Sequence, residues 1–176
     1  MTYDNYQLFT MTYPDKEAAM AGFDAVEYVF GDAQGIDTYD AAIVVKKDGK
    51  ISLVRKREQA EHTKGWEGVG IGLAVGACLA LFPAITLAVG ALAGAAVGGA
   101  AGVIAGHIES GISRGDLQAL GETLEEGQYS LVVITATDET RRVREATKFA
   151  IRFEQKQLKV DYKSLQKQLN ELAAEA

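Results

Sequence analysis

The chain is organised around the segment GALAGAAVGGAAGVIAG at residues 90–106. Its glycines recur at every fourth position, at Gly90, Gly94, Gly98, Gly102 and Gly106. A shorter row with the same spacing precedes it, at Gly68, Gly72 and Gly76. Because residues four apart lie on one face of a helix, each row would form a ridge without side chains. Such ridges let two helices pack closely, as in membrane helix pairs, so these glycines are predicted helix-packing and oligomer contacts.

Pro83 separates the two glycine rows, and no charged residue occurs from Gly68 to Gly106. The pattern predicts a helical hairpin over residues 64–110, broken at Pro83. Its arms would extend about 26 Å and about 35 Å at roughly 1.5 Å per residue. Both lengths are close to the hydrocarbon thickness of a bilayer, about 30 Å.

Two environments remain open for this insertion. Trp66 stands at the start of the first arm, where an interfacial aromatic belongs, and basic residues precede it, namely Arg55, Lys56, Arg57 and Lys64. These residues predict a membrane interface. The second arm is rich in Gly and Ala, however, and offers few methylene groups at about 0.8 kcal/mol each. The insertion is therefore buried either in lipid or in the apolar interior of a soluble oligomer, since a monomer exposing it would carry too large an apolar patch.

The sequence on either side of the insertion alternates between strand and helix patterns. Residues 6–13, 39–45, 51–56 and 129–136 are rich in β-branched and aromatic residues and predict four strands. Pro14 and Asp15 begin a helix after the first strand, and a second helix follows Asp116. Asp48 and Gly49 predict a tight turn between the second and third strands. The aliphatic run in the fourth strand predicts burial on both faces.

Without the insertion, the element order is β-α-β-β-α-β. We therefore predict an α+β fold, a ferredoxin-like domain split by the inserted hairpin and followed by C-terminal helices. The predicted domain comprises residues 1–60 and 113–137, the glycine-zipper hairpin residues 64–110, and the C-terminal helical segment residues 138–176.

The sequence leaves the structure and the partner of the C-terminal segment open. Asp138 begins a predicted helix, and a heptad-like seam follows at Leu158, Tyr162, Leu165, Leu169 and Leu172. The seam is typical of an amphipathic helix that docks on its own domain, or of a subunit contact. A short strand at Lys159, Val160 and Asp161, between two helices, remains open.

The chain resembles a family of uncharacterised bacterial proteins described as predicted membrane proteins or as related to general stress. The resemblance covers roughly Tyr39 to Ile151. It rests on the basic third strand, the double glycine zipper, and the segment from Leu120 to Gly127 that leads into Ser130-Leu131-Val132-Val133. What it implies is membrane association or self-assembly, with no catalysis to carry over.

Composition and motifs exclude several function classes. The formal net charge of −6 argues against a dedicated nucleic-acid binder. No pattern predicts a catalytic residue, a cofactor or a small-molecule substrate. His62 and His107 flank the insertion near Glu61 and Glu109, but interfacial polar residues explain them better than a metal site does. Cys78, the single cysteine, is predicted to be a small packing residue.

The leading hypothesis is a non-enzymatic, membrane-associated homo-oligomer with its polar domain in the cytoplasm, at the inner membrane. No secretory signal is visible at the N-terminus. The first alternative is a soluble cytoplasmic homo-oligomer that buries the insertions in a shared apolar interior, with lipid or another apolar cargo. The second alternative is a pore-forming protein.

Overall fold

The computed structural model describes residues 4–31, 39–57, 78, 81–82, 85–86, 119–135, 138–161 and 163–164. Its elements are β1 (Asp4–Tyr13), α1 (Lys16–Gly31), β2 (Tyr39–Lys47), β3 (Lys50–Arg57), β4 (Ile85–Thr86), β5 (Tyr129–Thr135), α2 (Thr140–Ala146) and β6 (Arg152–Val160). The six strands form one sheet in the order β4-β3-β2-β5-β1-β6. The five long strands pair antiparallel with one another, and β4 pairs parallel with β3.

Several local predictions are confirmed. The strand, helix, strand, strand order from β1 to β3 follows the predicted bounds closely. The turn between β2 and β3 has positive φ angles of 54° at Asp48 and 71° at Gly49. Asp and Gly tolerate this conformation at low cost, which is why the dipeptide predicts the hairpin.

The sheet is buried on both faces. One face, here called the helix-covered face, carries Phe9, Met11, Ile43, Leu131 and Val133, which pack with Phe23, Val26 and Phe30 of α1 and Val143 of α2. The opposite face carries Leu8, Val44, Val132, Ile134 and Leu158, which are at most 2% exposed. The aliphatic run of β5 is therefore buried on both sides, as its sequence predicts.

The ferredoxin-like prediction is wrong. A ferredoxin-like sheet places the third strand between the first and the second. Here β5 lies between β1 and β2, while β3 lies outside β2. The physical reason is burial: β5 is apolar on both faces and takes the central position, whereas β3 carries Arg55, Lys56 and Arg57 and lies near the edge.

The predicted helical hairpin is also wrong. Ile85 and Thr86, just after the predicted break, form β4 and pair with Ile51 and Ser52 of β3. The preceding Leu81 and Phe82 are 1% and 4% exposed. The chain beside the break therefore lies within the domain, whereas a hairpin would place it at the far tip. β-branched residues such as Ile85 and Thr86 favour strands, and glycine weakens helices. Both preferences act against a helical hairpin.

The prediction of a C-terminal helical segment over residues 138–176 is wrong in part. α2 ends at Ala146, and residues 152–160 form β6, which pairs with β1 from Asp4 opposite Val160 to Thr12 opposite Arg152. Alternation explains the strand, because Phe153 faces the helix-covered side and Leu158 the opposite side. Of the alternative short strand at Lys159, Val160 and Asp161, the first two residues belong to β6, whereas Asp161 lies beyond its end. Residues 165–176 lie outside the described residues.

Candidate functional site

The segment from Leu120 to Gly127 binds the turn between β2 and β3. The backbone N–H groups of Asp48 and Gly49 donate hydrogen bonds to the carboxylate of Glu126, at 3.1 Å for Gly49. The N–H of Gly127 donates to the carbonyl of Lys46 at 2.7 Å. Gly127 has a φ of 80°, which favours glycine. The motif therefore has a structural role, the anchoring of the β2–β3 hairpin.

The same motif contacts the insertion. A Cβ atom placed on Gly121 would lie 2.0 Å from the carbonyl oxygen of Leu81 and 3.1 Å from Cδ1 of Phe82. Only glycine permits this approach of two backbones. We call the contact of Leu81 and Phe82 with Gly121 the docking corner. Cys78, a little earlier in the insertion, is fully buried, in keeping with the packing role predicted for it.

The basic residues of β3 face α1. Arg55 forms ion pairs with Asp24 at 2.7 Å and Glu27 at 3.1 Å. Its guanidinium also lies 4.1 Å from the ring centroid of Phe23. Partly exposed ion pairs contribute only about 0–1 kcal/mol each, and a cation–π contact adds about 0.5–1 kcal/mol. Arg55 thus helps to hold α1 on the sheet.

Arg57 makes equivalent contacts. It forms an ion pair with Glu27 and lies 5.5 Å from the ring centroid of Tyr39. Lys56, opposite Ala42, points to the other face of the sheet. Arg55 and Arg57 therefore have partners within the domain, and the predicted contact of Arg55, Lys56 and Arg57 with a membrane stays a prediction. Lys64, Trp66, Pro83 and the eight zipper glycines lie outside the described residues.

A cleft of about 620 Å³ lies between the first half of α1 and the turn after α2. Its walls are small or aromatic, with Tyr13, Ala18, Ala21, Gly22, Ala25, Ala146 and Phe149, and its rim carries Asp15, Glu17, Glu145 and Lys148. The volume is typical of a small-molecule site. We call this space the Tyr13 cleft. Three carboxylates against one ammonium give its rim a net negative charge.

Among the described residues of the cleft wall, Tyr13 is the one buried polar side chain. The residue is 1% exposed, and its hydroxyl has no hydrogen-bond partner. Burial raises the pKa of Tyr13 to about 12, so the hydroxyl keeps its proton at neutral pH. A Cβ atom at Gly22 would lie 2.2 Å from this hydroxyl oxygen, so only glycine leaves room for the ring. The sequence signal for this site is Gly22, the isolated glycine inside α1.

No group of three potential metal ligands occurs among the residues that the structure describes, and His62 and His107 lie outside them. Within the same part of the chain, no helix combines the length and the apolar character needed to cross a bilayer. The chain matches no protein-family model, and comparison with curated proteins and solved structures also gave no match. The resemblance inferred from the sequence stays a prediction.

Proposed function

We propose that the chain is a non-enzymatic, self-assembling protein whose Gly/Ala-rich insertion is buried against protein. The observation that carries the proposal is the docking corner. Leu81 and Phe82 come from the middle of the charge-free stretch, and both are buried within the domain. The centre of the insertion thus contacts protein at the point where a bilayer hairpin would be farthest from the domain.

The remainder of the insertion favours a second copy of the chain as its partner. Its glycine rows offer few methylene groups for transfer into lipid, at about 0.8 kcal/mol each. The same rows allow close contact between backbones, which a lipid chain cannot exploit. In the proposed assembly the insertions share an apolar interior, with room for lipid or another apolar cargo. Insertion into a bilayer and pore formation are competing outcomes of the tests.

Substitutions in the longer glycine row test this proposal. Gly94→Leu and Gly98→Leu place a branched side chain on the proposed contact ridge, so both variants should sediment as smaller particles than the wild type. Gly31→Leu is the matched control, because a Cβ atom at Gly31 meets nothing within 4 Å. If both zipper variants sediment like the wild type, the ridge is not a contact surface. Flotation of the wild type with liposomes would favour the bilayer alternative.

The Tyr13 cleft supports a second candidate function, the binding of a small neutral amphiphile. Its walls are apolar, and the buried Tyr13 hydroxyl is a donor without an acceptor. An unsatisfied buried donor costs about 1–3 kcal/mol. Because the hydroxyl has almost no accessible surface, a ligand oxygen would offset this cost only by moving the cleft wall that covers it. The carboxylates of the rim disfavour an anionic ligand such as a fatty acid.

Thermal unfolding with 1-octanol and with octanoate tests this candidate. The alcohol should raise the melting temperature of the wild type, because its oxygen can accept from Tyr13, and octanoate should raise it less. Tyr13→Phe should lose the preference for the alcohol. Tyr28→Phe is the control, since Tyr28 lies on α1 and is 75% exposed. Equal stabilisation of the wild type and Tyr13→Phe by the alcohol would exclude a role for the hydroxyl.

A further inference from the structure

β6 is the last strand of the sheet, and no described strand pairs with its outer edge. It is also long, since it pairs with β1 over nine residues. The outer edge of such a strand presents backbone N–H and C=O groups that can bind another strand. The side chains of the strand decide which partner fits.

The charges of β6 alternate along one face of the sheet. Arg152, Glu154 and Lys156 share this face, which is the one opposite α1 and α2. Glu154 and Lys156 are half-buried. Neither side chain forms an ion pair or a side-chain hydrogen bond with another described residue. Within the described part of the chain, an acid and a base without an ion-pair partner therefore lie two residues apart on a strand edge.

We propose that β6 pairs antiparallel with β6 of a second copy, about a two-fold axis that passes through Gln155. This inference rests on the proposed self-assembly and names one of its contacts. In this register, Glu154 lies directly opposite Lys156 of the partner subunit, and the symmetry repeats the pair. Opposite charges at directly opposed positions stabilise an antiparallel pair, and like charges destabilise it. The contact is isologous, as expected of a symmetric dimer.

The neighbouring registers are less favourable. An axis at Glu154 would oppose that carboxylate to its own copy and would oppose Arg152 to Lys156 of the partner subunit. An axis at Lys156 would oppose two ammonium groups. An axis at Gln157 would keep an overlap of seven residues, as the axis at Gln155 does, but would pair no opposite charges. An axis at Phe153 would pair Arg152 with Glu154 of the partner subunit, but it would leave only three residues of β6 opposed. Charge and overlap together therefore select the axis at Gln155.

Charge reversal tests the register. In Glu154→Lys, each opposed pair becomes two lysines, and in Lys156→Glu each becomes two carboxylates. Either variant alone should weaken association about tenfold or more, measured as an apparent dissociation constant by sedimentation. The double variant Glu154→Lys/Lys156→Glu restores opposite charges and should associate like the wild type. An equimolar mixture of the two single variants should also associate, because each supplies what the other lacks.

The outcomes separate this contact from the proposed function. A wild type that sediments as a monomer contradicts self-assembly as a whole. A wild type that assembles, with single variants that assemble equally well, contradicts only the β6 contact. If the single variants dissociate but neither the double variant nor the mixture recovers, the charges act on folding, and the register is wrong. Circular dichroism of each variant establishes that it is folded.

Discussion

At the scale of single residues, Tyr13 is the side chain whose environment departs most from its sequence expectation. Its ring is buried in the core cluster, and its hydroxyl ends beside Gly22 without a partner. The sequence predicts a strand that ends at Tyr13. It does not predict the missing acceptor, because that depends on which residue of α1 crosses the ring. The contact between Tyr13 and Gly22 results from the way α1 packs across β1, and no local sequence preference predicts it.

The buried phenol predicts a loss of stability in alkaline solution. The pKa of Tyr13 rises from 10.0 to about 12 because burial disfavours the phenolate. Between these values the unfolded chain releases the proton and the folded chain keeps it, so the free energy of unfolding falls as the pH rises. One pKa unit corresponds to about 1.4 kcal/mol, so the loss should reach about 2–3 kcal/mol by pH 12. Urea unfolding from pH 9 to pH 12 measures it.

The control for this prediction is Tyr13→Phe, which removes the titrating group and keeps the ring. Burial also raises the pKa of Tyr39, so part of the alkaline loss should remain in the variant. The difference between the two proteins isolates Tyr13. Parallel curves for wild type and variant above pH 10 would show that the phenol is accessible to solvent. Below pH 9 the variant should be at least as stable as the wild type, because the unpaired hydroxyl is gone.

At the scale of elements, the docking corner makes the clearest prediction. Gly121→Ala forces a methyl group against the backbone of Leu81, which cannot rotate away. Overpacking of this kind costs about 1–3 kcal/mol, and the better helix propensity of alanine returns at most about 1 kcal/mol. We expect the free energy of unfolding to fall by about 1–2 kcal/mol in urea.

Gly31→Ala is the matched control for the docking corner. Gly31 ends α1, and a Cβ atom there meets nothing within 4 Å. Its stability should therefore stay close to that of the wild type or rise slightly. Should Gly121→Ala match this control, Leu81 and Gly121 are not in contact in solution, and the proposal that the insertion packs on its own domain loses its main support.

Elements were predictable from the sequence where local chemistry decides them. The Asp48-Gly49 turn and the apolar spacing of α1 are such cases. Strand order was not predictable, because the β-α-β-β-α-β order is compatible with more than one sheet. The central place of β5 follows from burial on both faces, which the aliphatic run in its sequence indicates. The sequence does not predict β6, because residues 152–160 include few β-branched residues. The pairing with β1 decides the conformation of this segment.

In the candidate sites, too, the sequence shows which residue types are present, but their roles depend on tertiary contacts. Glu126 and Gly121 lie in the segment from Leu120 to Gly127, but their roles depend on the turn and the insertion that they contact. The sequence predicts that Arg55 and Arg57 form a basic flank for lipid, whereas in the structure they pair with Asp24 and Glu27, two acids at helical spacing on α1. Such pairs become visible only once α1 is placed over β3.

At the scale of the whole molecule, the two proposed contacts lie at opposite ends of the sheet. β6 forms one edge, whereas β4, which belongs to the insertion, pairs with β3 at the other. A symmetric contact at β6 makes dimers, and contacts between insertions join further copies. A chain with two separate self-contacts should therefore form particles larger than a dimer.

Self-assembly through protein contacts is the central claim, and the particle mass of the purified wild type in detergent-free buffer tests it most directly. Light scattering coupled to size exclusion gives this mass without reference to shape. We expect a homogeneous particle of several copies whose protein mass is unchanged by a mild non-ionic detergent. A monodisperse monomer, or a protein that stays in solution only with detergent or lipid, would contradict it.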